Sequence, residues 1–262
     1  MKASDCRHVF VALAVLAGAC TKELPVVDLK GDCADVNKGQ VCTWAKTHGD
    51  TVLEVGVDVS LASLENASAD APFVWPPVAA ATLKLPEPVM RLTALQHFTM
   101  YWEAGGHPPG PYMTPHFDFH FNSVSAGDIA AIDCADLSKP TALPAAYALP
   151  DIPLPPPMAK MMGAPVLIGL CVPKMGMHSL LASEMESKTT FRGSMVVGFY
   201  HAKPIFVEPM LTRAMLLEKK SFDLAVPTVP GATGAYPHAF KATYEEAKQL
   251  YHFAFSNFSA GS

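Results

Sequence analysis

The stretch His116-Phe117-Asp118-Phe119-His120-Phe121 alternates metal-type side chains with phenylalanine, and its reading decides the rest of the chain. Strict alternation is the pattern of a strand, whose successive side chains leave opposite faces. Phe117, Phe119 and Phe121 then point into a core. His116, Asp118 and His120 form a row on the other face, continued by Asn122. Imidazole and carboxylate at three consecutive same-face positions make a costly surface, so the row reads as part of a site.

Working outward, the same period recurs from Thr51 to Leu61, where Leu53, Val55, Val57, Val59 and Leu61 share one face. Shorter strands are predicted at Ala81 to Leu85 and at His97 to Glu103, the latter running into Gly105-Gly106 and a turn through Pro108-Pro109-Gly110. Thr189 to Tyr200 and Pro204 to Glu208 read as a hairpin joined by His201-Ala202-Lys203. Helices are predicted from Ser125 toward Cys134, over Thr212 to Lys220, and near the end. There Thr243-Tyr244-Glu245-Glu246 has capping-box spacing, and Ala247, Leu250 and Tyr251 share a face. Eight prolines between Pro140 and Pro165 exclude a central strand or long helix and predict an extended crossover over 138–165. The sum is a mainly β fold of the α+β kind, an antiparallel β-sandwich or barrel with a few peripheral helices.

With 262 residues, half of them hydrophobic, the chain is long enough for a substantial core. A net charge of -5 without any Lys/Arg cluster excludes the electrostatic footprint of a nucleic-acid binder. The first residues read as a targeting segment: Lys2 and Arg7 precede the apolar run Val9 to Leu16, which is too short to span a bilayer. Leu16-Ala17-Gly18-Ala19-Cys20 resembles a bacterial lipoprotein signal, with 1–19 removed and Cys20 lipidated; an ordinary secretory peptide is the alternative. Either predicts export to the cell envelope or beyond, and the first predicts membrane attachment through Cys20. Residues 20–45 read as a polar tether, leaving 46–262 as a single β-rich domain.

Cys33, Cys42, Cys134 and Cys171 remain, an even number in an oxidising compartment. Proximity favours Cys33 with Cys42, which leaves Cys134 with Cys171. The absence of C-x-x-C spacing disfavours a cysteine-based zinc cluster.

Neutral imidazole and carboxylate are the ligands proteins offer to zinc, manganese, iron or copper, and several must converge on one point. His107, His116, His120 and His178 are the candidate ligands. Asp118 and Glu208 are the candidate catalytic groups, each able to accept a proton or to orient an imidazole. Along a straight strand four residues advance roughly 13 Å, so His116 and His120 share one ion only if the strand bends. The turn marked by Pro173 and Gly176 is placed to present His178 inward. Met158, Met161, Met162, Met175 and Met177 lie near His178 in sequence, a thioether and imidazole mix suited to copper(I) or, equally, to a core. Glu208 reads either as a site residue or as half of an ion pair with Arg213. There is no H-E-x-x-H, G-x-S-x-G, P-loop or G-x-G-x-x-G.

Four motifs taken together carry a likeness. Gly106-His107-Pro108-Pro109, Pro115-His116-Phe117-Asp118-Phe119-His120-Phe121, Pro173-x-Met175-Gly176-x-His178 and Phe206-x-Glu208-Pro209-Met210-x-Thr212 resemble the successive motifs of a family of secreted bacterial proteins. That family is catalogued as a domain of unknown function and named after a Thermus protein. The resemblance covers roughly residues 50 to 220 and implies an extracytoplasmic domain whose polar residues map onto His107, His116, Asp118, His120, His178 and Glu208 in one site. It implies no reaction. A weaker likeness to the metal-holding cupin barrels is analogy only, because the histidines of the first motif here are separated by three residues, not one.

The expectation is therefore an extracytoplasmic domain holding a divalent transition metal, zinc first and copper, iron or manganese after it. If it is an enzyme, it is a metal-dependent hydrolase or oxygenase. The rival is a non-catalytic envelope protein that binds a small ligand or forms a homo-oligomer, with its histidines as a polar network.

Overall fold

In this computed structural model, residues 24–260 are described; the targeting segment and Cys20 lie outside them. The strands in chain order are β1 (Val26–Val36), β2 (Gly39–His48), β3 (Thr51–Ser60), β4 (Ala81–Lys84), β5 (His97–Glu103), β6 (His116–Asn122), β7 (Tyr147–Ala148), β8 (Ile152–Pro153) and β9 (Val166–Leu167). They continue as β10 (Met177–Leu181), β11 (Gly193–Tyr200), β12 (Lys203–Thr212), β13 (Phe222–Ala225), β14 (Ala235–Tyr236), β15 (Ala239–Glu245), β16 (Leu250–Ser256) and β17 (Ser259–Ala260). Two antiparallel sheets dominate: a six-stranded one ordered β1-β2-β3-β16-β15-β13 and a seven-stranded one ordered β4-β5-β6-β12-β11-β10-β7.

The phenylalanines of β6 explain why the sheets meet. Phe119 packs on Phe253 and Phe121 on Phe255, each with ring centroids 4.9 Å apart, which presses the middle of one sheet against β16 of the other. Val55, Val57 and Val59 of β3 and Phe240 of β15 complete this core. The arrangement is a sandwich and not a closed barrel.

The outer face of the seven-stranded sheet is buried as well. A layer of loops and short helices brings Tyr112, Leu154, Met162, Leu170 and Phe191 down onto Leu180, Val196, Phe206 and Met210 of the sheet. Every residue of β6 is consequently buried, the polar row included. The proline-rich stretch supplies β7, the edge strand of that sheet, and then joins the covering layer through β8 and a helix, Pro156–Met162, that begins on prolines tolerated in a first turn. Cys134 is disulfide-bonded to Cys171 within the cover, and Cys33 to Cys42 directly across β1 and β2.

Several sequence expectations change. Residues 26–36 form an edge strand where a tether was predicted. Their polarity reflects an edge guarded by Asp28, Lys30 and Asp35, and β1 turns into β2 through Asn37 and Lys38, both at positive φ. The terminal helix is absent: Thr243 to Glu245 end β15, and Leu250 and Tyr251 begin β16. Tyr251, Phe253 and Phe255 alternate inward against Phe240 and Ala242, and aromatic β-formers at period two outweigh a coincidental cap. Leu53 is exposed and Val52 buried, because β3 bulges at Leu53: Lys46 of β2 pairs with Glu54 and Thr47 with Val52, which leaves Leu53 unpaired and turned outward. The helix at Thr212 is a single turn, Arg213–Leu216, capped by Thr212. The β11–β12 hairpin forms as predicted, with His201 and Ala202 both at positive φ in its two-residue loop. Among the described residues no helix is long and apolar enough to cross a membrane.

The Cys134–Cys171 bridge spans 37 positions of chain and the Cys33–Cys42 bridge 9. Loop-closure entropy assigns them roughly 4 and 2.5 kcal/mol. Urea unfolding of the two Cys→Ser pairs is expected to show the larger loss for Cys134→Ser/Cys171→Ser.

Candidate metal centre

The polar row of β6 is met by residues from both neighbouring strands and from the cover. Asp118 lies opposite Met210 of β12, so Glu208, two residues along, is its diagonal neighbour on the same face. β11 separates Glu208 from β10, which carries His178. Gly198 of β11 leaves the space between them open: a Cβ there would stand 1.9 Å from the ring of Phe206. That ring instead slides under the imidazoles, 4.3 Å from His120 and 5.1 Å from His178 between centroids.

His107 reaches the row from the loop after β5. Gly106 has φ 67°, and a Cβ at that position would meet the Tyr112 carbonyl at 2.2 Å, so only glycine lets the loop fold back on itself this tightly. The fold-back sets the His107 ring edge-on to His116, centroids 4.8 Å apart.

All six predicted residues thus converge on one wall, but in two adjoining groups. His107, His116 and Asp118 form one, and His120, His178 and Glu208 the other; within each, one ligand atom per residue lies within 4.8 Å of the others. The strand does not bend to bring His116 and His120 to one point; each pairs with its own carboxylate. His116 Nε2 is 3.3 Å from Asp118 Oδ1, and His120 Nε2 is 3.4 Å from Glu208 Oε2. Both pairs are too poorly aligned to count as hydrogen bonds, and all four atoms are buried without a partner. Arg213, the alternative partner of Glu208, donates instead to the carbonyls of Leu64 and Glu65.

Three of the imidazoles are oriented from behind. Nδ1–H of His116 donates to the Thr114 carbonyl at 2.7 Å, that of His107 to Pro108 at 2.9 Å, and that of His178 to Leu170 at 3.1 Å. A carbonyl only accepts, so each Nδ1 carries the proton, and in the neutral rings of His107 and His178 this leaves the lone pair on Nε2. Ligating histidines are commonly held in this way.

The electrostatics follow from burial. Loss of solvent pushes His107, His120 and His178 down to about 4, so they are neutral at pH 7. Burial also disfavours charge on His116, but the Asp118 carboxylate overrides it and raises that imidazole. Asp118, against the same desolvation, is held well below the usual carboxylate range by His116. Glu208 is raised strongly by burial and then by the Asp118 charge.

Two neighbours escaped the sequence reading. Glu103, opposite His116 on β5, is buried and pushed up to about 8 by desolvation and then by Asp118. Tyr101, opposite Asp118, lays its ring 5.1 Å from that of His120. The signal was present, since Thr99, Tyr101 and Glu103 alternate along the predicted strand His97 to Glu103.

A cavity of about 30 Å³ opens over Glu103, His107, Asp118 and His178, walled by Phe73, Trp75, Val172 and Met175. The methionines do not gather into a thioether site: Met162 and Met175 line this wall, Met177 is in the inter-sheet core, and Met161 is exposed.

Compared with protein-family models, curated proteins and solved structures, the chain gives no match. The two His/Asp/Glu groups could each hold a metal ion, and they are what the chain itself offers as a guide to function.

Nitrogen-detected NMR at neutral pH is expected to show His107 and His178 as Nδ1–H tautomers with bare Nε2. Finding the opposite tautomer in both would remove the orientation described.

Proposed function

We propose that this protein is an extracytoplasmic metal-binding domain whose centre is the buried wall formed by His107, His116, Asp118, His120, His178 and Glu208. One observation carries the reading: the Nε2 atoms of His116 and His120 stand 3.3 and 3.4 Å from oxygens of Asp118 and Glu208, all four atoms are buried without a hydrogen-bond partner, and backbone carbonyls hold the rings of His107, His116 and His178 from behind. A network built only for stability would pair these atoms with one another, because each unpartnered buried polar group costs about 1–3 kcal/mol. A cation supplies the missing partner.

Each group has two imidazoles and one carboxylate, a set used by catalytic zinc and by non-haem iron, and both leave coordination positions open. Zinc is the first expectation, with iron, manganese and copper behind it. When bound, the ion would acidify a water or polarise a substrate oxygen. Glu103, beside His107 and Asp118 on the cavity, is placed to exchange a proton with a solute there. Metal-assisted hydrolysis follows if the ion is zinc, and oxygen-dependent chemistry if it is iron. The cavity limits direct access to a small ligand or to the small end of a larger one.

Location belongs to the same reading. The two disulfides point to an oxidising compartment, and the sequence around Cys20 supports a lipid anchor there. The motif resemblance to the Thermus-named family agrees with export and with one site.

Elemental analysis of the mature domain, purified without chelator or affinity tag, tests this. At least one transition-metal ion per chain is expected, reduced in His116→Ala and in His120→Ala with the far-UV circular dichroism unchanged. Metal-free wild-type protein that also takes up none on dialysis against zinc would favour the rival, a non-catalytic polar network.

A further inference from the structure

We propose that the centre is dinuclear: two divalent transition-metal ions, one on His107 and His116, the other on His120 and His178, bridged by the carboxylates of Asp118 and Glu208. This rests on the metal-binding reading above and specifies its stoichiometry and internal structure.

Geometry separates the imidazoles into two pairs. His116 and His120 are four positions apart on a strand paired along both edges, with β5 on one side and β12 on the other, so the strand cannot fold them onto one ion. Bonds of about 2.1 Å from each imidazole cannot close a backbone separation of roughly 13 Å without such a bend. Their outer partners diverge too, His107 standing edge-on to His116 and His178 beside His120 at 5.8 Å between centroids.

The carboxylates, by contrast, are shared. Asp118 stands 3.3 Å from His116 and Glu208 3.4 Å from His120, and the two carboxyl-bearing residues are diagonal neighbours on one face of the β6–β12 pair. The junction between the two ligand sets is thus a pair of neighbouring carboxyl groups, each with one oxygen turned toward its own imidazole. Two ions bridged by these carboxylates would be expected at the spacing of about 3.5–4 Å common to two-metal sites.

The buried polar atoms divide the same way. Asp118, Glu208 and Glu103 are three buried carboxyl groups on one wall, and among the described residues no lysine or arginine lines the cavity to offset them. One imidazole nitrogen and one carboxylate oxygen are left without a partner in each group.

The test starts from chelator-stripped full domain titrated with cobalt(II), followed by calorimetry and by visible absorption. Two equivalents per chain are expected, and magnetic susceptibility should show the two ions coupled through their shared ligands. His107→Asn and His178→Asn should each retain one equivalent, and Asp118→Asn should abolish the coupling. One equivalent in the wild type, lost alike from both histidine variants, would overturn the dinuclear assignment and leave the metal-binding reading intact. Two uncoupled equivalents would also overturn it. No uptake at all would end both. If a variant fails to fold, wild-type stoichiometry and coupling decide alone.

Discussion

Removing an imidazole or a carboxylate from water costs several kcal/mol unless hydrogen bonds, opposite charge or coordination replace the lost solvation. Here three imidazoles and three carboxyl groups accept that cost on one face of one sheet, with the half-buried His107 brought against them from a loop. The sandwich is arranged so that they must. The phenylalanines that hold β6 against the opposite sheet force the alternate side chains outward, and the cover over that outer face keeps them from solvent. The inter-sheet core and the polar wall are therefore two sides of one constraint, set by the period of a strand.

What was legible in the sequence was legible for that reason. Alternation from His116 to Phe121 placed every side chain of β6 on its correct face, and the cysteine pairing followed from proximity and elimination. Convergence of His107, His178 and Glu208 on the row was anticipated, but its division into two groups was not. That division depends on which strand neighbours which, and the β6-β12-β11-β10 order is a long-range property that no local pattern encodes. Glu103 and Tyr101 were missed although their alternation was visible, because one acid and one phenol on a strand stand out only once the partner strand is known.

The misread termini have a common cause. Polar composition at 26–36 and capping-box spacing at 243–246 are weak local signals, and each was outvoted by sheet pairing. β1 is held by its ladder to β2 and the disulfide to Cys42, and β16 lies in the middle of its sheet between β3 and β15. Local preference yields wherever a strand completes a buried aromatic layer.

Placing His120, Glu208 and His178 on strands of a single hydrogen-bonded sheet has a mechanical consequence. Neighbouring strands are pinned about 4.8 Å apart by their ladders, so the Cα positions from which these three side chains start are fixed more firmly than that of a loop residue such as His107. The sheet behaves as a rigid frame, and any adjustment of the group falls to side-chain rotamers.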